Sequence, residues 1–209
     1  MSMMTPEEVF SKIADKQRIV ITGSEGTLLV AKIMEHILNV NKHPYDLYQG
    51  GEYTPMPGAP IALIVAPENP VGSDSVPGFR KFQHHIGVIC NIRHTPDNGF
   101  TSEDEYIRQY DLFADATPKG GMLAYCEQDP IAAVLCNKER PDIAYLPFKA
   151  HPHTTVNGKQ YLLSSNKEKL PFNITSNHNL QYVSGAKEVL KKIGISPEQF
   201  YHAIVSYSA

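Results

Sequence analysis

Residues 20–30 read VITGSEGTLLV. A short β-branched run ending at Thr22 enters a turn with glycines at 23 and 26. It leaves into a stretch whose apolar residues Val30, Ile33, Met34 and Ile37 recur at helical spacing. This is the strand, glycine turn and helix of a phosphate-binding loop, in which free amides at a helix start face an anion. The working motif ends in Gly-Lys-Ser/Thr, so that an ammonium reaches the terminal phosphates and a hydroxyl holds magnesium. Here the triplet is Gly26, Thr27 and Leu28, so the turn is kept and the charge is missing.

Outward from this turn, 209 residues suffice for one sizeable core. A formal net charge of −3, from 19 basic and 22 acidic residues, gives no reason to expect nucleic acid or an anionic membrane as partner. No run of 18 apolar residues exists and the start carries no basic-then-apolar leader, so the expected location is the cytoplasm. Cys90, Cys126 and Cys136 are odd in number and lack paired metal spacing, which reads as reduced core thiols.

Further apolar runs at 61–66 (IALIVA) and 85–92 (HIGVICNI) read as strands covered on both faces, separated by the loop PENPVGSDSVPG. Ser102 and Glu105 stand in capping-box spacing before a helix with Tyr106, Tyr110 and Phe113 on one face. The strands MLAYC and DIAYLPF follow, with a short helical stretch around 131–136 between them. Near residue 151 the character changes. Asn157-Gly158 between alternating runs signals a hairpin, followed by the extended piece LPFNIT, and a small antiparallel unit is expected at the sheet edge. Two helices close the chain, one ended by Gly194 and one opened by Ser196, Pro197 and Gln199. The expectation is a single α/β domain over 1–209, three-layered and mostly parallel.

Four pieces in order, IVITGSEG, the NI at 91–92 with the loop to EDEYIRQYDLF, PKGGMLAYCEQDP, and HNLQYVSGAKEVLKKIGISPEQFYHAI, resemble the central, ATP-binding domain of the Mur ligase family. The likeness is greatest to the UDP-N-acetylmuramate:tripeptide (murein peptide) ligases and the muramate–alanine ligases. It implies that the N-terminal UDP-binding and C-terminal ligase domains are absent from this chain. It also implies a nucleotide site at Gly23, Ser24, Glu25, Gly26 and Thr27, with His178 and Asn179 near the adenine. The family pattern Gly-x-x-Gly-Lys-Thr-Thr keeps both glycines here, but its lysine is Thr27 and its hydroxyls are Leu28 and Leu29. Its acidic stretch is VAPE, where Val65 and Pro67 replace carboxylates and Glu68 remains. Its metal-binding Asp-His is Thr95-Pro96, with His94 adjacent, and the second asparagine of its His-Asn-x-x-Asn is Tyr182.

The lost groups are those that neutralise a transferred phosphoryl. The resemblance therefore implies a degenerate member with no catalytic residue, no metal and no resident cofactor. What stays is a vestigial ATP/magnesium site whose amides keep the geometry for a lone anion. Such a chain would bind a cell-wall precursor, a nucleotide or a full-length ligase, or pair with itself. Two alternatives stand beside this. One is a working ATP-dependent ligase in which Lys32 or a partner supplies the charge; the other is a remnant without ligand. Among the histidines, His84 and His85 are adjacent on a strand and face opposite ways, and His151 and His153 lack a third ligand. Glu103, Asp104 and Glu105 read as a first-turn cluster that complements the helix dipole.

Overall fold

The computed structural model describes residues 3–71, 75–172 and 177–207, the side chains of 177 and 178 excepted. Seven strands form the main sheet: β1 Gln17–Thr22, β2 Tyr45–Gln49, β3 Glu52–Thr54, β4 Ile61–Val65, β5 Ile86–Ile89, β6 Met122–Cys126 and β7 Ala144–Phe148. Their order is β3-β2-β4-β1-β5-β6-β7, parallel except for the β2–β3 hairpin. The strand before the glycine turn is thus the middle one, covered on both faces.

Period-2 alternation sorts the strand side chains between two layers. Ile19, Ile21, Ile61, Leu63 and Val88 pack with α2 (Thr27–Val40), α5 (Asn177–Lys192) and α6 (Pro197–Ile204). Val20, Ala62, Ile64 and Ile89 pack on the other face with α1 (Pro6–Ile13), α3 (Glu103–Asp115), α4 (Pro130–Leu135) and a 3₁₀ turn at Gly78–Phe82. The three expected layers are present. Local signals placed the helix starts well. Ser196 and Gln199 close a full capping box, whereas Ser102 accepts from the Glu105 amide but the Glu105 carboxylate turns to Thr101 Oγ1, leaving half a box.

One feature departs from the sequence reading. The β2–β3 hairpin was not anticipated because Asp46 interrupts the apolar run. In the fold that carboxylate is 1% exposed and is satisfied by Lys16 Nζ at 3.0 Å, Tyr53 Oη at 2.6 Å and the Met56 amide at 2.8 Å. Gly50 and Gly51, with φ +61° and +84°, form the tight turn that was the available signal. The Asn157-Gly158 hairpin forms as read. The small antiparallel unit expected there is a three-stranded sheet of its own, β8 (His153–Val156), β9 (Lys159–Leu163) and β10 (Lys169–Pro171). Edge strand β7 carries Pro147, which has no N–H to offer a further strand, and Leu162 and Phe172 instead turn into the helical layer of α2, α5 and α6. The rest of LPFNIT, from residue 173, lies outside the described residues.

His84, 2% exposed, is held under the sheet by Thr117 Oγ1 at 2.9 Å and by the Phe113 ring at 4.0 Å. Burial, with smaller contributions from His85 and Arg18, lowers its pKa to about 3. The unfolded chain then binds a proton below about pH 6.5 that the native state refuses, so stability falls as pH drops from there towards 3. His84→Gln should flatten that part of the profile by up to ~1.4 kcal/mol per pH unit relative to the parent, read from urea midpoints between pH 7 and 4.

Candidate functional site

The turn sits at the carboxyl end of β1, where ligands gather in open parallel sheets. Gly23 has φ +139°, and a Cβ there would lie 2.9 Å from the Asn91 amide and 3.0 Å from Cys90 Cβ, so the exits of β1 and β5 approach as only glycine allows. They are laced together. Asn91 Oδ1 accepts from the Glu25 amide at 2.7 Å, and Ser24 Oγ accepts from the Arg93 amide at 2.9 Å. One of the loop's anion-facing amides is thereby committed to a protein side chain. The Glu25–Arg93 ion pair at 3.1 Å is exposed on both sides and contributes little.

Glu68, kept from the acidic stretch, is also engaged. The hydroxyls of Tyr106 and Tyr110 both donate to its Oε1, and Ser24 Oγ lies 3.2 Å from the same oxygen and 2.8 Å from Tyr106 Oη. Burial first, and the Glu68 charge after it, push both phenols well above their ordinary range, so they stay protonated donors. His94 packs its ring 5.6 Å from Tyr106, with Nε2 at 3.2 Å from the Phe100 carbonyl. The sequence places Tyr106 and Tyr110 with Phe113 on one helix face. Their i,i+4 spacing, which puts two hydroxyls on one face, was the signal for a polar role.

Beside the turn opens a cleft of about 850 Å³. Thr27, Leu28, Val65 and Pro67, four of the positions where the resemblance expects polar or charged groups, all line it, together with Glu68 and Tyr48. Leu28 is 51% exposed there, while Leu29 packs against the core. Tyr182 lies flat over the turn. A Cβ on Gly26, whose φ is +81°, would fall 2.1 Å from the centre of that phenol's edge at Cζ. The side chain of Asn179, one turn earlier on α5, makes no hydrogen bond among the described residues; the His178 side chain lies outside them. The histidine pairs diverge. His84 meets Thr117 and His85 accepts from the Arg18 amide, while His151 meets Tyr201 Oη and His153 the His151 carbonyl. All three thiols are buried and free.

No protein-family model matches the chain. It is 20% identical over 221 aligned positions to the UDP-N-acetylmuramoylalanine–D-glutamate ligase of Listeria monocytogenes, covering 98% of this chain and 46% of that protein. It thus spans about half the length of the curated relative it matches. Among solved structures, 98% of it superimposes on 70% of the UDP-N-acetylmuramate:L-alanyl-γ-D-glutamyl-meso-diaminopimelate ligase of Neisseria meningitidis, with a TM-score of 0.81 at 11% identity. For MurF of Acinetobacter baumannii the TM-score is 0.74 at 14% identity, over 98% of this chain and 48% of that one.

The fold is that of the Mur ligase central domain. Within this fold the Tyr182 ring packs directly on Gly26. Gly26→Ala should cost at least ~2 kcal/mol, from left-handed backbone strain and overpacking together. Combining it with Tyr182→Ala should cost less than the sum of the two single changes, because the clash disappears with the ring. Urea unfolding of the four proteins measures this, and strict additivity would show that the ring is not what forbids a side chain at position 26.

Proposed function

We propose that this chain is a non-catalytic module on the Mur ligase fold, tied to peptidoglycan-precursor metabolism, that binds a ligand or partner instead of transferring a phosphoryl group. The observation that carries this is the coherent change along one cleft. Thr27 stands where a lysine would neutralise terminal phosphates, Leu28 where a hydroxyl would hold magnesium, and Val65 and Pro67 where carboxylates would hold metal. The remaining carboxylate, Glu68, accepts from two phenols. Each electrostatic group of this kind typically contributes about 3 kcal/mol to a transition state, so their joint loss removes many orders of magnitude in rate. Lys32 does not restore the charge, since it is exposed and stands more than a turn along α2 from Thr27.

The names of the relatives connect the fold with UDP-N-acetylmuramoyl substrates, which makes such precursors, nucleotides and intact ligases the first compounds and partners to test. Calorimetry with ATP and magnesium should give no micromolar, magnesium-dependent binding, and no phosphate should be released. Thr27→Lys with Leu28→Thr should recover nucleotide binding but not turnover, because Val65, Thr95 and Pro96 still hold no metal. Magnesium-dependent ATP binding by the native chain, with hydrolysis or ligation to a UDP-muramoyl acceptor, would instead establish a working ligase.

A further inference from the structure

The opposite edge of the sheet holds a second concentration of charge. Arg18, at the amino end of β1, is 7% exposed and has no carboxylate partner among the described residues. Its Nε donates to the Phe82 and Gln83 carbonyls, both at 3.0 Å, and its Nη1 to those of Ala14 at 2.7 Å and Lys16 at 3.1 Å. The guanidinium lies over the Phe10 ring, 5.2 Å from its centroid. These contacts lock the group and leave Nη2 with a single neighbour among the described residues, His85 Nε2 at 3.5 Å. Arg80 donates through Nη1 to Gln109 Oε1 at 2.6 Å, and its Nε and Nη2 make no bond among the described residues.

Both arginines line one cavity of about 370 Å³, with His84, His85, Gln83 and Phe113, and no acidic side chain lines it. Two guanidiniums that share a partly dehydrated cavity without a counter-charge are costly unless an anion joins them. Burial lowers the pKa of His85 and Arg18 lowers it further, while burial and then Arg108 lower that of Arg80. Guanidinium forks match oxyanions by paired N–H donors, and donors converging from two separate side chains suit a tetrahedral anion better than a planar carboxylate.

We propose that this cavity is a binding site for a phosphate-class oxyanion, held between Arg18 Nη2 and the Arg80 guanidinium with His85 at its rim. The volume falls within the range of small-molecule sites. Arg18 to Gly23 is five strand residues, ~16 Å, so the site is separate from the glycine turn and independent of how that turn is read.

The test is an NMR titration of the intact chain with inorganic phosphate, following the His85 ring, the Arg80 Nε–H and the Gly23–Thr27 amides. The expected result is saturable movement of the His85 and Arg80 signals, with a midpoint of its own whether or not the loop amides also respond. Arg80→Gln should weaken the affinity read from these signals about tenfold or more, the size of one charge-assisted hydrogen bond. Arg18 is not varied, because it also ties α1 and the 3₁₀ turn to β1. A parallel titration with ADP separates the sources: displacement of phosphate from the same signals identifies a nucleotide's terminal phosphate, and its absence identifies the free ion. Movement confined to the loop amides, no saturation at tens of millimolar phosphate, or an Arg80→Gln variant that binds as well as the parent would each overturn the proposal.

Discussion

Tyr106 and Tyr110 donate to Glu68, and Tyr106 also reaches Ser24. The helix α3, the exit of β4 and the glycine turn are therefore fixed to one another through a single carboxylate. Remove that carboxylate and two buried phenols lose their acceptor, a cost of the kind that falls on every unsatisfied polar group in a core. The turn's position, the depth of the cleft beside it and the approach of β5 all rest on this knot. Asn91 completes it from the other side by taking the Glu25 amide.

The same knot explains why a kept carboxylate need not mean a kept function. A carboxylate binds a divalent cation through oxygens free to turn toward it. Glu68 Oε1 faces two phenolic hydrogens, which solvate it in the place where an ion would have to bind. Exposed Leu28 and neighbouring Val65 make the adjacent surface poor at solvating any ion. The apolar lining of the cleft and the engagement of the acid thus agree with one another.

Much of the fold could be read from periodicity. Continuous apolar runs marked β1, β4 and β5, the 3.6-residue pattern marked α2 and α5, and capping residues marked where α3 and α6 begin. The β2–β3 hairpin could not be read this way, because Asp46 looks like a solvent residue until Lys16, 30 positions earlier, is seen beside it. The separate sheet of β8–β10 was legible as a hairpin but not in its placement, which depends on where Leu162 and Phe172 find apolar cover. For the site, the sequence shows which groups stand at the turn. It does not show Tyr182 lying on Gly26, or the Tyr106 and Tyr110 hydroxyls converging on Glu68, since both arise from contacts between elements distant along the chain.

The strand order also bears on how the chain is made. β1 precedes both of its sheet neighbours along the chain, β4, paired from Ile61, and β5, paired from Ile86. Until those arrive, an apolar strand with both edges open has nothing to pair with, the state most prone to join another nascent copy. Parallel pairing over such separations is also slow. The amphipathic α1 precedes β1, and its buried Val9 and Ile13 pack in the same layer as Val20. As the element directly before β1, it is positioned to cover a face of that strand while the later strands are still being synthesised.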